Sequence, residues 1–303
     1  MDEVRRGTLY GAAAYVCWGL FPLYWPLLEP SGSVEVLSHR VVWSLLFCVV
    51  LVAATRRREA VVAILRDRVR LARLSLAAVL IAVNWGAFIY GVTSGQVVET
   101  SLGYFINPLV TVALGVVVLG ERLRPVQWWA LGGATAAVLL LTVENGSPPW
   151  LALVLAASFG SYGLLKKQAA VGAVEGLSVE TLVLTPFALG FLVVLGSRGD
   201  STFATEGPGH IALLIGTGVV TAIPLLLFAG AAVRVPLTTL GLLQYVTPTM
   251  QFLIGVLLYD EDLPLGTLLG FTLVWIALAV FTFDVLRHQR HQRRRTVPVL
   301  EPV

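Results

Sequence analysis

Charge is scarce in this sequence: 13% of the 303 residues are charged, 57% are hydrophobic, and the mean hydropathy is +0.83. A soluble globular domain carries about 25% charged residues, so this composition excludes that class and predicts an integral membrane protein. Lysine is almost absent, since Lys166 and Lys167 are the only lysines among 21 cations. The net charge of +3 comes from short basic runs between apolar segments. That pattern is typical of membrane topology and gives no support to nucleic-acid binding.

Residues that support catalysis or metal binding are also few. Cys17 and Cys48 both lie in apolar segments, so we expect no disulfide framework. The four histidines are His39, His210, His288 and His291. Their spacing is not that of a metal site, and the sequence contains no glycine-rich phosphate loop. We therefore expect no enzyme activity, no cofactor and no bound metal.

Ten apolar stretches are long enough to cross a bilayer as helices, which takes about 17 to 25 residues. They lie near 7–28, 36–55, 72–93, 98–119, 125–143, 149–166, 177–196, 210–231, 237–259 and 265–286. The first stretch, preceded by Arg5 and Arg6, also resembles a signal peptide. Its bulky Trp18 and Trp25, together with a repeat partner later in the chain, favour a mature helix.

The basic residues predict the orientation, because the side of the membrane that retains Lys and Arg is cytoplasmic. Only Arg40 and Arg198 fall on the other side, so 19 of the 21 cations and both termini are predicted to be cytoplasmic. The basic tail 287–303 contains two histidines three residues apart, which leaves a metal or anionic-lipid site open. A topological anchor is the simpler interpretation.

The chain is internally duplicated. Leu102, Gly103, Pro108, Gly115, Glu121 and Leu123 recur, in nearly the same spacing, as Leu240, Gly241, Pro248, Gly255, Glu261 and Leu263. Ser38 and Arg40 match Ser178 and Glu180, and Trp18 matches Tyr162. The halves are 1–145 and 146–286, followed by the tail 287–303. Because each half contains five crossings, the second must insert upside down relative to the first. Inverted repeats of this kind favour a transporter with a midplane binding site, although a duplicated scaffold without transport stays open.

Polar residues follow one face of several predicted helices. Helix 4 carries Ser101, Tyr104, Asn107, Pro108, Thr111 and Gly115 within one arc, and helix 9 carries Gly241, Gln244, Pro248, Gln251 and Gly255. Helix 3 places Asn84, Phe88, Gly91 and Gly95 on one face. These stripes predict faces directed away from lipid, and the proline in helices 4 and 9 requires a protein or water-filled neighbour. Cavity lining and interhelical packing both explain the amides.

Charges within the membrane form two predicted sets. Arg40 and Glu99 lie near the outer face, and Glu180 with Lys166 and Lys167 lies near the inner face. Each set can neutralise itself. The sets are either gates that form on alternate sides or static ion pairs at the interface.

Several longer sequence motifs resemble those of a known family. They are SHRVVWS at 38–44, NWGAFIY at 84–90, ETSLGYFINPL at 99–109, LGERL at 119–123, SYGLLKK at 161–167 and TTLGLLQYVTPT at 238–249. The whole chain resembles the RarD-type permeases in the EamA branch of the drug/metabolite transporter superfamily. The resemblance implies ten helices in two inverted five-helix repeats. It also implies a central cavity to which Trp18, Asn84, Asn107, Tyr162, Phe228 and Gln244 contribute.

We therefore predict an all-α secondary transporter of the bacterial inner membrane that exports a small metabolite or drug-like compound by alternating access. The alternative is an integral-membrane enzyme or receptor on the same scaffold. The predicted substrate-binding residues are Trp18, Asn84, Phe88, Tyr104, Asn107, Tyr162, Phe228, Gln244, Tyr245 and Gln251. The predicted gating residues are Arg40, Glu99, Lys167 and Glu180. The predicted partners are a small molecule and the lipid bilayer, and the sequence does not indicate an oligomeric state.

Overall fold

A computed structural model describes residues 3–119, 125–144, 146–232, 234–235 and 243–295. The regular elements in these ranges are all helices. They are α1 (Glu3–Gly19), α2 (Phe21–Tyr24), α3 (Ser33–Ala54), α4 (Arg58–Arg66), α5 (Arg68–Thr93), α6 (Val97–Leu119), α7 (Pro125–Glu144), α8 (Trp150–Ala169), α9 (Ala173–Ser197), α10 (Gly207–Ala232), α11 (Val246–Leu257) and α12 (Leu265–Arg295), with a 3₁₀ turn at Trp25–Leu28.

Each of the ten predicted apolar stretches overlaps a helix. Within the described ranges, five helices have the length and hydropathy needed to cross a membrane: α3, α5, α9, most of α10, and α12 up to Asp284. A sixth span is added if Glu3–Gly19 and Phe21–Leu28 are counted as one segment bent by 42°. The chain is therefore an all-helical, multi-pass membrane protein.

The bend after Gly19 follows from two prolines. Pro22 lies at the start of α2 and Pro26 at the start of the 3₁₀ turn. Proline is tolerated in a first turn because the N–H it lacks would have no intrahelical partner there. Each proline thus begins a new short helical segment, and the bend places Trp25 and Leu28 in the protein interior, where neither is exposed.

The structure contains two compact units. The first comprises Met1–Thr111 and Trp150–Asp262, and in it α3 packs against α9 and α10, α5 packs against α8 and α9, and α1 packs against α10 and α11. Glycine permits the close approach of α10 to α3, because a Cβ at Gly218 would lie 2.6 Å from the backbone carbonyl of Trp43. The second unit comprises Val112–Pro149 and Leu263–Val303, in which α7 packs against α12.

Helix α4 was not predicted. It occupies the basic loop between the second and third apolar stretches, and its Ile64 is buried in a cluster with Leu74 and Val179. Helix α5 begins immediately afterwards because the Asp67 carboxylate accepts hydrogen bonds from the N–H groups of Val69 (3.0 Å) and Arg70 (3.1 Å). This is an N-cap, which satisfies two of the free donors at a helix start.

The ninth stretch differs from its prediction. Residues 236–242 lie outside the described ranges, Gln244 and Tyr245 form a turn, and the helix begins at Val246. Pro248 is therefore the third residue of α11 and not a proline in the middle of a long helix, whereas Pro108 does lie inside α6, as predicted. The predicted common face of Gln244 and Gln251 on one helix is accordingly wrong. The physical reason is that a proline is accommodated in the first helical turn without the loss of a hydrogen bond.

Candidate functional site

Arg40 is buried among aromatic rings on α3. Arg40 is only 3% exposed, and its Nε donates a hydrogen bond to Thr221 Oγ1 on α10 at 2.9 Å. The guanidinium carbon lies 4.0 Å from the ring centroid of Trp85, 5.1 Å from that of Trp25 and 5.6 Å from that of Phe21. These are cation–π distances.

The predicted pair between Arg40 and Glu99 is not formed in this structure. Glu99 Oε1 accepts hydrogen bonds from the N–H groups of Leu151 (3.0 Å) and Ala152 (3.4 Å), in the first turn of α8. Backbone donors at a helix start have no intrahelical partner and favour a negative charge. Glu99 is therefore neutralised by a helix terminus, an alternative that its sequence position does not reveal.

A second carboxylate binds a helix terminus in the same way. Glu261, in the loop after α11, accepts hydrogen bonds from the N–H groups of Val97 (2.5 Å) and Val98 (2.8 Å) at the start of α6. Burial raises the pKa of the Glu261 carboxyl, and the two hydrogen bonds partly oppose that shift. Glu261 thus fixes the start of the helix that carries Tyr104 and Asn107.

The other predicted charge set does form. Lys166 Nζ lies 2.7 Å from Glu180 Oε1, and Tyr162 donates a hydrogen bond from its hydroxyl to Glu180 Oε2 at 3.1 Å. Glu180 is only 1% exposed. The lysine in this pair is Lys166, while the side chain of Lys167, our predicted gating lysine, lies outside the described part of the chain.

Asn84 joins three helices. Its Nδ2 donates to the Leu155 carbonyl (3.0 Å) and to Ser158 Oγ (3.1 Å) on α8, and its Oδ1 accepts from the Tyr104 hydroxyl (3.2 Å) on α6. The amide is 1% exposed. Interhelical hydrogen bonding therefore accounts for Asn84 in this conformation, as one of our two interpretations anticipated.

The predicted aromatic residues form two groups. Phe88 contacts Tyr104 with ring centroids 5.7 Å apart, and Phe159 links Tyr104 (6.2 Å) to Tyr162 (6.0 Å). In the second group, Trp18 contacts Phe228 at 5.8 Å, and Tyr15 packs against both rings.

The remaining predicted amides are distributed over two segments. Gln251 on α11 is 1% exposed and donates from Nε2 to the Trp18 carbonyl at 3.2 Å, which brings it to the second aromatic group. Asn107 is buried in α6, one residue before Pro108. Gln244 and Tyr245 are half-buried in the turn that precedes α11.

Two buried carboxylates were missed. Glu35 accepts hydrogen bonds from Ser201 Oγ (3.1 Å), Thr202 N (2.9 Å) and Thr202 Oγ1 (3.0 Å). Glu175 accepts one from Arg57 Nη1 at 2.8 Å. We call these contacts the Glu35 latch and the Glu175 latch. The signal was present, since Glu35 and Glu175 are 140 residues apart, as are Ser38 and Ser178.

Comparison with known proteins decides the family. The model of the EamA-like transporter family matches residues 5–143. Protein RarD of Streptomyces exfoliatus is 53% identical over 97% of this chain and 93% of its own length. Protein RarD of Escherichia coli is 40% identical over 95% of this chain and 97% of its own length.

The chain belongs to the RarD-type group of the EamA-like transporter family. An uncharacterized transporter of Bacillus subtilis is similarly related, at 40% identity over 95% of this chain and 97% of its own. A solved crystal structure, 16% identical, superposes with a TM-score of 0.59 over 93% of this chain and 98% of the other, which shows a shared fold. This RarD-type chain is therefore a membrane transporter of the drug/metabolite class, with a small-molecule substrate and a lipid environment.

Proposed function

We propose that this protein is a secondary transporter of the bacterial inner membrane that exports a small metabolite or drug-like compound by alternating access. The proposed architecture has ten helices in two inverted five-helix repeats, 1–145 and 146–286. The basic tail 287–303 and the N-terminus are cytoplasmic. Family membership supports transport over an enzyme or receptor function on the same scaffold.

The observation that carries this proposal is the pattern of helix packing in the first compact unit. The repeat relates α1 to α8, α3 to α9, and α5 to α10. If each helix is replaced by its equivalent, the contact between α5 and α8 corresponds to the contact between α10 and α1. In the same way, the contact between α5 and α9 corresponds to the contact between α10 and α3. All four contacts exist, and α3 packs directly against its equivalent, α9. A pseudo-two-fold axis in the membrane plane has this consequence.

The latches support the inversion independently. Glu35 in the first turn of α3 binds residues that follow α9, and Glu175 in the first turn of α9 binds a residue that follows α3. The start of each helix therefore lies beside the end of the other, so α3 and α9 are antiparallel. Two equivalent helices that cross the membrane in opposite directions are what an inverted repeat requires.

For the substrate site we propose amides next to the two repeat prolines, Asn107 beside Pro108 and Gln244 before Pro248. An amide supplies both donors and acceptors without the cost of a buried charge. The apolar contacts would come from the two aromatic groups and their neighbours. These residues are Trp18, Phe88, Tyr104, Tyr162, Phe228, Tyr245 and the aliphatic part of Gln251. Asn84 would position Tyr104 through the hydrogen bond between them.

Metabolite profiling tests the function. Culture medium from cells that express the protein is compared with medium from cells that carry the empty vector, and each compound that accumulates is then offered to inside-out vesicles. We expect at least one compound to be enriched in the medium and taken up by vesicles that contain the protein. If no compound is both enriched and taken up, the export proposal is wrong.

The site is tested with Asn107→Leu and Gln244→Leu on the same vesicles. We expect transport of the identified compound to fall at unchanged expression, because an interhelical hydrogen bond contributes only about 0.6 kcal/mol to stability. Thr272→Leu is the matched control, since Thr272 is exposed and donates to Leu268 in its own helix. A loss of stability with normal transport by the remaining folded protein would make both amides packing residues.

A further inference from the structure

Arg40 is a buried cation that has no carboxylate partner among the residues that the structure describes. It lies seven residues after Ser33, the first residue of α3, which at 1.5 Å per residue is roughly 10 Å into the helix. Within the described part of the chain it forms one hydrogen bond, to neutral Thr221, and no salt bridge. A charged side chain at such a depth normally pairs with another charge or marks a substrate pathway.

Two buried donors at this position lack an acceptor in the described part of the chain. Arg40 Nη1 and the indole Nε1 of Trp25 are both buried, and neither has a hydrogen-bond partner in the described residues. The Trp25 ring centroid lies 5.1 Å from the guanidinium carbon, so the two groups are neighbours. Both atoms are donors only. A group that binds these two atoms must therefore be an acceptor, and the positive charge of Arg40 favours a negatively charged one.

The equivalent position in the other repeat shows the contrast. Glu180 corresponds to Arg40, and it is equally buried, yet it has both a salt bridge to Lys166 and a hydrogen bond from Tyr162. The protein thus satisfies one of its two equivalent buried charges with its own side chains and leaves the other with aromatic faces and one hydroxyl. An uncompensated buried charge is unfavourable, and arginine cannot lose its proton to avoid this.

We propose that Arg40 binds the substrate, and that the substrate is an organic carboxylate with an apolar or aromatic body. A carboxylate has two oxygens in a plane, and the planar edge of a guanidinium matches that geometry. One oxygen accepts a hydrogen bond from Arg40 Nη1, and the indole N–H of Trp25, whose ring centroid lies 5.1 Å from the guanidinium carbon, donates to the same anion. The rings of Phe21, Trp25 and Trp85 provide the apolar walls.

This site is continuous with the residues that we propose as the substrate cavity, and the inference rests on that proposed function. Phe21 and Trp25 belong to the same buried cluster as Phe88, with Trp18 and Tyr104 packed against it. A carboxylate held by Arg40 would thus direct its apolar body towards aromatic rings that the sequence already indicated. Arg40, which we first interpreted as a gate, becomes the residue that selects the charge of the substrate.

Thermal shifts of the full-length protein in detergent test the proposal. The probes are two acids with their uncharged amides, phenylacetate with phenylacetamide and indole-3-acetate with indole-3-acetamide, at equal ionic strength. We expect at least one acid to raise the unfolding temperature, its amide to have no effect, and Arg40→Gln to weaken the apparent affinity for the acid about tenfold to a hundredfold. Charge-assisted hydrogen bonds of this kind contribute that much.

The control variants separate binding from general effects of charge. Thr221→Val removes the protein acceptor but keeps the cation, and Arg234→Gln removes a cation paired with Glu3 elsewhere. Both should retain the acid effect. Trp25→Phe keeps an aromatic ring but removes the N–H donor, and it should weaken the apparent affinity for the acid by up to about tenfold. If Arg40→Gln does not fold, Arg40→Lys should still prefer the acid to the amide, with lower affinity.

Three results would overturn the proposal: equal shifts by acid and amide, an undiminished acid effect in Arg40→Gln, or no shift by either acid in the wild type. The outcome is separable from the proposed function. Uptake of an uncharged compound by inside-out vesicles would leave the transporter assignment intact and remove the carboxylate inference. Acid binding by a protein that exports no compound would retain the carboxylate inference and remove the export proposal.

Discussion

Glu35 and Glu175 occupy equivalent positions at the starts of α3 and α9, and each binds the segment that follows the other helix. Glu35 accepts from Ser201 and Thr202 beyond the end of α9, and Glu175 accepts from Arg57 beyond the end of α3. In the proposed topology the two latches lie on opposite sides of the membrane. A transporter that opens to one side at a time would break one latch while it keeps the other.

The two latches should differ in strength. Glu35 is 3% exposed, and its removal in Glu35→Ala leaves the Thr202 N–H without its partner, at a cost of about 1 to 3 kcal/mol. Arg57 is 49% exposed, so the Glu175 pair is screened by solvent and Glu175→Ala should cost less than about 1 kcal/mol. Unfolding temperatures of the purified variants check this order. The reverse order would show that Glu175 and not Glu35 is the stronger contact.

Much of the fold followed from the sequence for simple reasons. Apolar stretches long enough to span lipid have few alternatives to helix, and each of the ten predicted stretches overlaps one. The amphipathic helix α4 was missed because its basic residues were interpreted only as topology signals. The prediction that Pro248 lies in the middle of a long helix was wrong because proline occurs both in kinked helices and at helix starts. The sequence alone does not distinguish these two cases.

The partners of charged residues were harder to predict. Glu99 and Glu261 bind backbone N–H groups at helix starts, and no side-chain pattern marks such an acceptor. The pair between Glu180 and a lysine was predictable because the predicted topology places Glu180 and the two lysines near the inner face of the membrane. Only the structure shows that Arg40 has no carboxylate partner among the described residues. The sequence places Glu99 at a similar depth, where it could have been that partner.

The orientation is tested by labelling from the two sides of the membrane. Thr205 and Glu59 are both exposed, one in the segment before α10 and the other in α4. In a background with Cys17→Ala and Cys48→Ala, an impermeant maleimide added to intact cells should label Thr205→Cys and not Glu59→Cys. Inside-out vesicles should give the opposite result. Labelling of both from one side would contradict the proposed topology.

Asn84 should act mainly through helix packing. Asn84→Leu removes three hydrogen bonds to α8 and α6, and at about 0.6 kcal/mol each the loss is roughly 2 kcal/mol. We expect a lower unfolding temperature, with transport per folded molecule largely retained. Normal stability combined with lost transport would instead make Asn84 a direct substrate ligand.

Gly218 should tolerate no side chain, in contrast to Gly209 on the same helix. A Cβ at Gly218 would meet the Trp43 carbonyl at 2.6 Å, whereas a Cβ at Gly209 has nothing within 4 Å. Gly218→Ala should therefore destabilise the protein by about 1 to 3 kcal/mol, and Gly209→Ala should be neutral or slightly stabilising. Unfolding temperatures measure both. Equal effects would mean that α3 and α10 can separate at no cost.

Alternating access is tested most directly by distances between spin labels across each latch in the cysteine-free background. One pair, at Val34 and Thr205, spans the Glu35 latch, and the other, at Glu59 and Ala173, spans the Glu175 latch; all four positions are exposed. We predict that Glu35→Ala lengthens the distances in the first pair alone, and that Glu175→Ala lengthens those in the second pair alone. If each variant lengthens both pairs, or neither variant lengthens either, the two sides do not open alternately and the mechanism is wrong.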